Sequence, residues 1–425
     1  MTECTYIVGN TRDVVAGLPD GSVDLVMTSP PFLQLRSYLP DDHPNKDAEV
    51  GSERTPAEFL STLLELTAEW RRVLAPHGTL AVELGDTYSG SGGSGGDYAA
   101  DGMRAGQAEW GGSAKAARSG EPSINLERDR TVGSDTRDGW PLAKSLALIP
   151  EMYRLAPAYG RHPLNGQPSP AGQWRVRNNV TWARSNPPVG ALSDKWRPST
   201  SDLVVACTAK DRWFDMEAVR TPAPHTLNRG MSTQYEAPGQ QPRATRAVDE
   251  TGRINANPGG APPLDHWIIP PGGYSGAHFA VFPVELCRIP IESCCPRRVC
   301  RTCGAPSRRL TETQVLDRLG QPRETGSGWN EPDLRRSEQG HTSLDVSTTG
   351  WSSCGCPGTD GIRLDGFHTG GGWRHGIVLD PFGGSGTVGV SATGRGRDAI
   401  LIDIDERNLD LARERIGMWR GDGTP

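Results

Sequence analysis

The sequence has little that would place the protein in a membrane or outside the cell. No stretch of its 425 residues approaches the ~18 consecutive apolar residues of a membrane span, and the N-terminus, MTECTYIVGN, lacks the basic-then-apolar order of a signal peptide. Its nine cysteines are far below the density of a secreted disulfide scaffold. We therefore expect a soluble, cytoplasmic protein with no membrane association.

An excess of basic charge is absent as well. The formal net charge of -6 and the pI near 5.9 exclude a uniformly basic nucleic-acid coat, although they are compatible with a local basic cleft. Glycine and proline are plentiful instead, with 53 and 35 residues, which predicts long loops. The length suits two or three domains of ~150 residues, or one enlarged enzyme domain with insertions.

Short apolar strands alternate with helices along much of the chain. Thr55, Pro56 and Glu58 have the arrangement of a helix N-terminus, with a capping side chain and a proline in the first turn. In chain order we predict strand TYIVG, helix TRDVVAGL, strand SVDLVMTS, a helix over 56–74, a turn at Pro76-His77-Gly78, strand TLAVELG, a helix from Trp140 to about Ala156, strands WRVRNNVTWA, SDLVVACTA and GIVLD, a helix start at VGVSATGR, strand DAILIDID and helix NLDLARERI. This alternation predicts an α/β protein with a mostly parallel sheet.

Three segments interrupt the alternation. Residues 89–139 contain 12 glycines and only three of Val, Ile, Leu or Phe, so we expect a mobile insertion that is dispensable for folding. Residues 221–264 are rich in Pro, Gly and Asn, and residues 304–353 form another polar insertion, between cysteine pairs.

One motif near the C-terminus has the features of a nucleotide site. Asp380 ends an apolar strand, and the glycine-rich turn 381–387 leads into a helix, so the backbone can approach a ligand at the carboxyl edge of the sheet. The next strand ends at Asp403, 23 residues after Asp380, where a carboxylate can accept hydrogen bonds from a ribose diol. The alternative is a tight turn whose glycines serve helix packing.

A second motif, Thr28-Ser29-Pro30-Pro31-Phe32, also ends an apolar strand. It combines a hydroxyl, a backbone stiffened by two prolines and an aromatic ring. A turn without function is the alternative for this motif taken alone. Because both motifs end strands of an α/β sheet, we expect them at the same edge.

Together the two motifs resemble the amino-methyltransferases that modify DNA with S-adenosylmethionine. TSPPF precedes VLDPFGGSGT, which is the order of the circularly permuted β group of that family. The segments GNTRDVVAGLPDGSVDLVMTSPPF, LGDTYSG, HFAVFPVEL and residues 176–215 resemble the family as well. The resemblance implies a Rossmann-like, S-adenosylmethionine-dependent methyltransferase fold, circularly permuted and carrying polar insertions, with double-stranded DNA as substrate.

The resemblance also implies roles for individual residues. The base must leave the duplex, after which Ser29 and the Pro30 carbonyl would accept the two hydrogens of its exocyclic amine, and Phe32 would stack on the ring. The implied catalytic residues are Ser29, Pro30, Pro31 and Phe32. The implied cofactor-binding residues are Asn10, Phe279, Phe282, Asp380, Pro381, Phe382, Gly383, Gly384, Ser385, Gly386, Thr387 and Asp403. Asn10 stands where the family usually has an aspartate that helps to hold the adenine of the cofactor.

The serine in the first motif bears on the target base. In this family SPP followed by Tyr or Phe favours N4 of cytosine, and DPP or NPP favours N6 of adenine, although some SPP members act on adenine. Alternatives are an RNA or protein amino-methyltransferase, in which the glycine motif usually precedes the Pro-Pro motif, and an inactive zinc-bearing DNA-binding module. A cognate restriction or defence system in a bacterium or phage is a candidate partner, on which the sequence is silent.

Seven of the nine cysteines fall between residues 287 and 356. The pairs Cys300/Cys303 and Cys354/Cys356 predict a structural zinc site of four thiolates. Free thiols are the alternative, and any of Cys287, Cys294 and Cys295 can replace a partner. Arginines outnumber acidic residues around the first pair, which suits either a phosphate backbone or a solvated basic face.

These features predict the following organisation. A catalytic half covers 1–88, the glycine-rich insertion 89–139, a continuation of the methyltransferase domain 140–220, a target-recognition candidate 221–264, a cofactor-side segment 265–299, the zinc knuckle with its polar insertion 300–356, and the cofactor-binding half 357–425.

Overall fold

The computed structural model describes residues 2–35, 37–40, 42–89, 137–187, 195–221, 260–271, 282–316, 343–359 and 372–417. The strands are β1 (Cys4–Val8), β2 (Val23–Thr28), β3 (Leu74–Leu84), β4 (Arg175–Ala183), β5 (Thr200–Cys207), β6 (His266–Ile268), β7 (Val299–Cys300), β8 (Arg309–Leu316), β9 (Ser343–Trp351), β10 (Trp373–Arg374), β11 (Ile377–Asp380) and β12 (Asp398–Asp403). The helices are α1 (Thr11–Gly17), α2 (Pro56–Val73), α3 (Ile149–Tyr159), α4 (Val284–Cys294), α5 (Thr387–Thr393) and α6 (Asn408–Ile416).

Eight strands form one mixed sheet in the order β1-β12-β11-β2-β3-β5-β4-β6. The strands from β1 to β3 in this order are parallel to one another, and β5 runs antiparallel to both β3 and β4. The C-terminal strand β11 pairs directly with the N-terminal strand β2, with Val378 opposite Leu25 and Leu379 opposite Val26. The predicted α/β fold with a mostly parallel sheet is confirmed, and strands from the two ends of the chain pair in the middle of that sheet.

Helices cover both faces of the sheet. Because successive residues of a strand point to opposite faces, neighbouring residues of β2 belong to different core clusters. Val26 of β2 belongs to the core cluster that contains residues of α1, α2 and α3. Its neighbours Leu25 and Met27 belong to the other cluster, with residues of α4, α5 and α6. The strands are therefore buried on both faces, as their continuous apolar runs predict.

Helix α2 begins where the sequence predicts. The Thr55 hydroxyl accepts a hydrogen bond from the Glu58 N–H, and the Glu58 carboxylate accepts one from the Thr55 N–H, which together form a capping box. Its buried side contains Phe59, Leu63 and Trp70.

Two predicted boundaries are wrong. Helix α3 begins at Ile149 and not at Trp140, because the preceding residues hydrogen-bond to Thr87 and Ser89 and the Asp86 carboxylate accepts the N–H groups of Leu148 and Ile149. Strand β3 begins at Leu74, directly after α2, so the predicted turn at 76–78 is an irregularity within the strand. This irregularity places the His77 ring 2.8 Å from the buried Asp24 carboxylate.

The polar insertion at 304–353 contains more structure than the sequence suggests. Its ends form an antiparallel ribbon of β8 and β9. Polar strands of this kind lack the apolar signal by which buried strands are recognised. Residues 90–136, 222–259 and 272–281, which include Phe279 and most of two predicted insertions, lie outside the described residues. Among the described helices, none is long and apolar enough to cross a membrane.

Candidate active site

The two sequence motifs meet at the carboxyl edge of the sheet. Strands β2 and β11 are parallel neighbours, so Ser29 and the glycine turn follow adjacent strand ends. A buried hydrogen bond of 2.7 Å from the Thr28 hydroxyl to Asp380 Oδ1 joins the two ends. The pairing of β2 with β11 thus brings together residues that lie about 350 positions apart in sequence.

A cavity of about 400 Å³ opens at this edge. This volume falls in the range of small-molecule sites, roughly 300–1,000 Å³. Of the predicted residues, the lining includes Asn10, Ser29, Pro30, Pro31, Phe32, Phe282, Pro381, Phe382, Gly383, Gly384, Ser385, Thr387 and Asp403. The cavity therefore contains the predicted catalytic residues and most of the predicted cofactor residues.

The comparison with protein families covers both motifs. A family model for N6 and N4 DNA methylases matches residues 23–299 and 374–414, about three quarters of the chain. The chain belongs to the N6/N4 DNA methylase family. Its membership accounts for the two strand-end motifs and for the strands between them.

Several curated relatives are similar to this methylase. The Type II methyltransferase M.Cfr9I of Citrobacter freundii is 28% identical over 67% of this chain and 70% of its own length. The Type II methyltransferase M.SmaI of Serratia marcescens is 23% identical over 98% of this chain and 91% of its own. Among solved structures, the PvuII DNA methyltransferase (cytosine-N4-specific) matches with 12% identity and a TM-score of 0.45, over 98% of this chain and 86% of that one.

The serine of the predicted catalytic motif has an acidic partner that was not predicted. The Ser29 hydroxyl donates a hydrogen bond of 2.6 Å to Glu83 Oε2, at the end of β3. Glu83 is 2% exposed, and burial raises its pKa, opposed by hydrogen bonds from Ser201 and Ser29 and by the charge of Arg184. Its other oxygen, Oε1, lies 3.8 Å from Arg184 Nη2 and is buried without a hydrogen-bond partner among the described residues. A single acidic residue within the apolar strand TLAVELG was the signal that could have identified it.

The methylase leaves room for the Phe32 ring by having glycine at position 85. A Cβ atom on Gly85 would lie 2.5 Å from Phe32 Cε2, well inside van der Waals contact. The backbone after β3 therefore fixes how far the ring reaches into the cavity.

This contact gives a prediction for Gly85→Ala. The added methyl group displaces the Phe32 ring, and a misplacement of that kind costs roughly 10- to 100-fold in rate. We expect methylation to fall by that factor in a tritium-transfer assay, with S-adenosylmethionine affinity unchanged. Gly350→Ala is the matched control, because a Cβ there meets nothing within 4 Å. Equal rates for the two variants would show that the position of Phe32 does not matter.

Hydrogen bonds to β1 and β12 hold the glycine turn in place. The Gly384 N–H donates to Asp403 Oδ2 at 2.7 Å, the Gly383 N–H donates to the Ile402 carbonyl, and the Tyr6 hydroxyl donates to the Gly384 carbonyl. A Cβ on Gly383 would lie 2.9 Å from that of Leu401, so a side chain there would push the turn off β12.

The Asp403 carboxylate lies at the cavity wall behind this turn. It also accepts the Asp405 N–H at 2.8 Å and the Asn408 amide at 3.2 Å. Burial raises the pKa of Asp403 to about 6, against the opposing effect of these hydrogen bonds. A carboxylate has roughly four acceptor sites, so Asp403 can still accept a hydroxyl from a ligand.

Two predicted cofactor residues do not line the cavity. Asp380 is 1% exposed and its Oδ1 accepts both the Thr28 hydroxyl and the Phe382 N–H, at 2.7 and 3.1 Å. Gly386 precedes α5 with φ +81°, and a Cβ there would lie 3.1 Å from Ala412 Cβ. Both residues shape the turn from behind, and Asp380 also connects it to Thr28 of β2.

The cavity lining also includes the predicted cofactor residue Asn10 and a pair of residues for which no role was predicted. Asn10 caps α1 by accepting the Arg12 N–H, and its side chain borders the cavity. The Arg184 guanidinium stacks over the Trp182 ring at 4.2 Å from its centre, and both residues line the cavity. A planar pair of this kind can recognise an aromatic base, and it lies in the segment whose sequence resembles the family.

The four predicted zinc ligands lie together elsewhere on the molecule. The sulfur atoms of Cys300, Cys303, Cys354 and Cys356 lie within 4.8 Å of one another. The other three clustered cysteines, Cys287, Cys294 and Cys295, are buried against the sheet in or just after α4.

Two of the basic residues near this cluster form ion pairs. Arg288 pairs with Glu285 and Glu292, at 2.6 and 3.0 Å, and Arg309 binds Asp215 through two nitrogens. Asp215, which comes from another part of the chain, therefore offsets one of the positive charges of this segment.

Proposed function

We propose that the protein is a site-specific DNA methyltransferase that transfers a methyl group from S-adenosylmethionine to N4 of a flipped cytosine. One observation carries this proposal: Ser29, its hydrogen-bond partner Glu83 and the glycine turn all line a single cavity. The acceptor for an amine hydrogen thus lies beside the loop expected to hold the methyl donor.

The volume of the cavity and the charges of its lining suit S-adenosylmethionine. The cofactor is cationic at its sulfonium, and the described part of the lining contains the carboxyl groups of Glu49, Glu83 and Asp403 and one guanidinium, that of Arg184. The absence of a side chain at Gly383 lets the turn pack directly against β12, beside Asp403. When bound, the cofactor supplies an electrophilic methyl group.

The residues of the chain supply the activation of the amine. The lone pair of the amine nitrogen is delocalised into the base, so the nitrogen must be drawn toward a tetrahedral geometry before it attacks the methyl group. Because Ser29 donates its own hydrogen to Glu83, its oxygen is oriented as an acceptor toward the cavity. Pro30 offers its carbonyl as the second acceptor, and Phe32 offers a face for stacking.

The proton released on methylation needs an acceptor. Glu83 is one hydrogen bond beyond Ser29, and its raised pKa lets it hold a proton more readily than an exposed glutamate. We therefore assign Glu83 as the group that receives the proton through Ser29. No nucleophilic cysteine is required for transfer to an exocyclic amine.

The same proposal covers the chain order and the biological context. We propose a circularly permuted, Rossmann-like fold, supported by the pairing of β2 with β11 across the middle of the sheet. We further propose double-stranded DNA as the substrate, in the cytoplasm, and a cognate restriction system as partner, because the curated relatives are named Type II methyltransferases.

Sequencing the methylome of DNA from cells that express the protein tests the proposal. We expect N4-methylcytosine at one recurrent sequence, and none in cells that express Ser29→Ala. N6-methyladenine at a recurrent sequence would overturn the assignment of the base. An unmodified genome, with the protein folded and present, would overturn the activity.

A further inference from the structure

The cysteine cluster is built from two tight turns. Cys300 ends β7, and the chain turns back so that the Gly304 N–H donates to the Cys300 carbonyl. Gly304 and Gly355 have φ of +71° and +75°, a conformation that favours glycine, and each is next to a cluster cysteine. The two turns face each other and present their four sulfur atoms to one point.

The sulfur atoms are placed for a metal ion. A tetrahedral zinc ion with Zn–S bonds of about 2.3 Å separates its sulfurs by roughly 3.8 Å. The sulfurs here lie within 4.8 Å of one another, so a small contraction completes such a site. The N–H groups of Thr302 and Cys303 point at Cys300 Sγ, at 3.4 and 3.5 Å, and support a thiolate. All four cysteines are free of disulfide bonds.

The cluster is connected to the sheet through Arg374. Strand β10 pairs with β7, placing Trp373 opposite Cys300 and Arg374 opposite Val299. The Arg374 guanidinium binds the fully buried Asp24 carboxylate at 2.6 Å, and the N–H of Ile377, the first residue of β11, donates to the same carboxylate. Asp24 lies near the start of β2, whereas Ser29 follows its end, so the cluster and the cavity lie at opposite edges of the sheet.

We propose that Cys300, Cys303, Cys354 and Cys356 bind one zinc ion as four thiolates, and that this ion holds Arg374 on Asp24 where β11 enters the sheet. The role is structural, because four thiolates leave no coordination position for water. Loss of the ion releases β10, the strand that precedes β11, from the cysteine cluster. The fold then loses stability without any change at the catalytic residues.

Elemental analysis and cobalt substitution of the full-length protein test this site. Protein purified without added metal is expected to contain one zinc per chain, and cobalt exchanged into it is expected to show the charge-transfer absorption of four thiolates. Cys303→Ser is expected to lose most of its zinc, whereas Cys207→Ala, which removes a buried thiol outside the cluster, retains it.

The outcomes that overturn the proposal are equally specific. The proposed zinc site would be contradicted by iron in place of zinc, by disulfides between the cluster cysteines, or by metal-free protein with four titratable thiols. If Cys303→Ser does not fold, the cobalt spectrum of the unaltered protein still decides the ligand set. Chelation is expected to lower the melting temperature while the rate at a permissive temperature stays unchanged. An unaltered melting temperature after complete zinc removal would overturn the structural role.

Discussion

Ser29→Ala is expected to reduce methylation by roughly 10² to 10⁴, the usual range for losing proton-transfer assistance, while S-adenosylmethionine still binds. The substitution removes the acceptor for the amine hydrogen and breaks the connection to Glu83, but it leaves the glycine turn untouched. Single-turnover methylation of a duplex substrate and calorimetry with the cofactor measure the two effects separately.

Glu83→Gln separates the two functions of this pair. Glutamine still offers an oxygen to the Ser29 hydroxyl, but it cannot take up a proton. We expect methylation to fall nearly as far as in Ser29→Ala, with the cofactor still bound. Full activity in Glu83→Gln would show that Glu83 only orients Ser29, and loss of cofactor binding in Ser29→Ala would show that the cavity is assigned incorrectly.

Asp380→Ala is expected to weaken cofactor binding by at least about tenfold, because two hydrogen bonds to a buried group are lost. Asp380→Asn is the matched control. Both the Thr28 hydroxyl and the Phe382 N–H donate to the same oxygen, Oδ1, which asparagine retains. We therefore expect near-normal affinity for Asp380→Asn in calorimetry.

The comparison of Asp380→Ala with Asp380→Asn also shows whether Asp380 shapes the turn or contacts the cofactor directly. Unchanged affinity in Asp380→Ala would contradict the assignment of this strand end to the cofactor turn. Equal losses in both variants would show that the charge itself is needed, which the position of Asp380 behind the turn does not predict.

The same carboxyl group gives the fold a dependence on pH. Burial raises the pKa of Asp380 from 3.8 to about 7, outweighing the hydrogen bonds that favour its ionised form. A group whose pKa is higher in the folded state stabilises the fold fully below its unfolded pKa, and this contribution is lost as pH rises toward the folded pKa. The melting temperature of Asp380→Asn, compared with that of the native protein at the same pH, should therefore rise as the pH increases from about 4 to about 7. Above pH 7 the difference between the two proteins should stay constant.

The sequence predicted the parts of this protein that depend on short local patterns. The capping box at Thr55, the strand ending at Asp380 and the motif at Ser29 are all legible in consecutive residues. The meeting of the two motifs followed from the rule that parallel strands share their carboxyl edge. The four sulfur atoms of the cysteine pairs also come together as their spacing suggested.

Contacts between distant segments that no sequence motif marks were not predicted. Glu83 acquires its role only because β3 lies beside β2, which brings its carboxyl group to the Ser29 hydroxyl. The start of α3 is set by Asp86, more than 60 residues earlier in the chain. The Arg374–Asp24 contact crosses 350 residues, and no local pattern marks it.

The most direct test of this account is mass spectrometry of nucleosides from DNA treated with the purified protein and S-adenosylmethionine bearing a deuterated methyl group. The account predicts deuterated N4-methylcytosine, formed by the native protein and absent with Ser29→Ala. Label at carbon 5 of cytosine, or label found in RNA or protein and not in DNA, would contradict it.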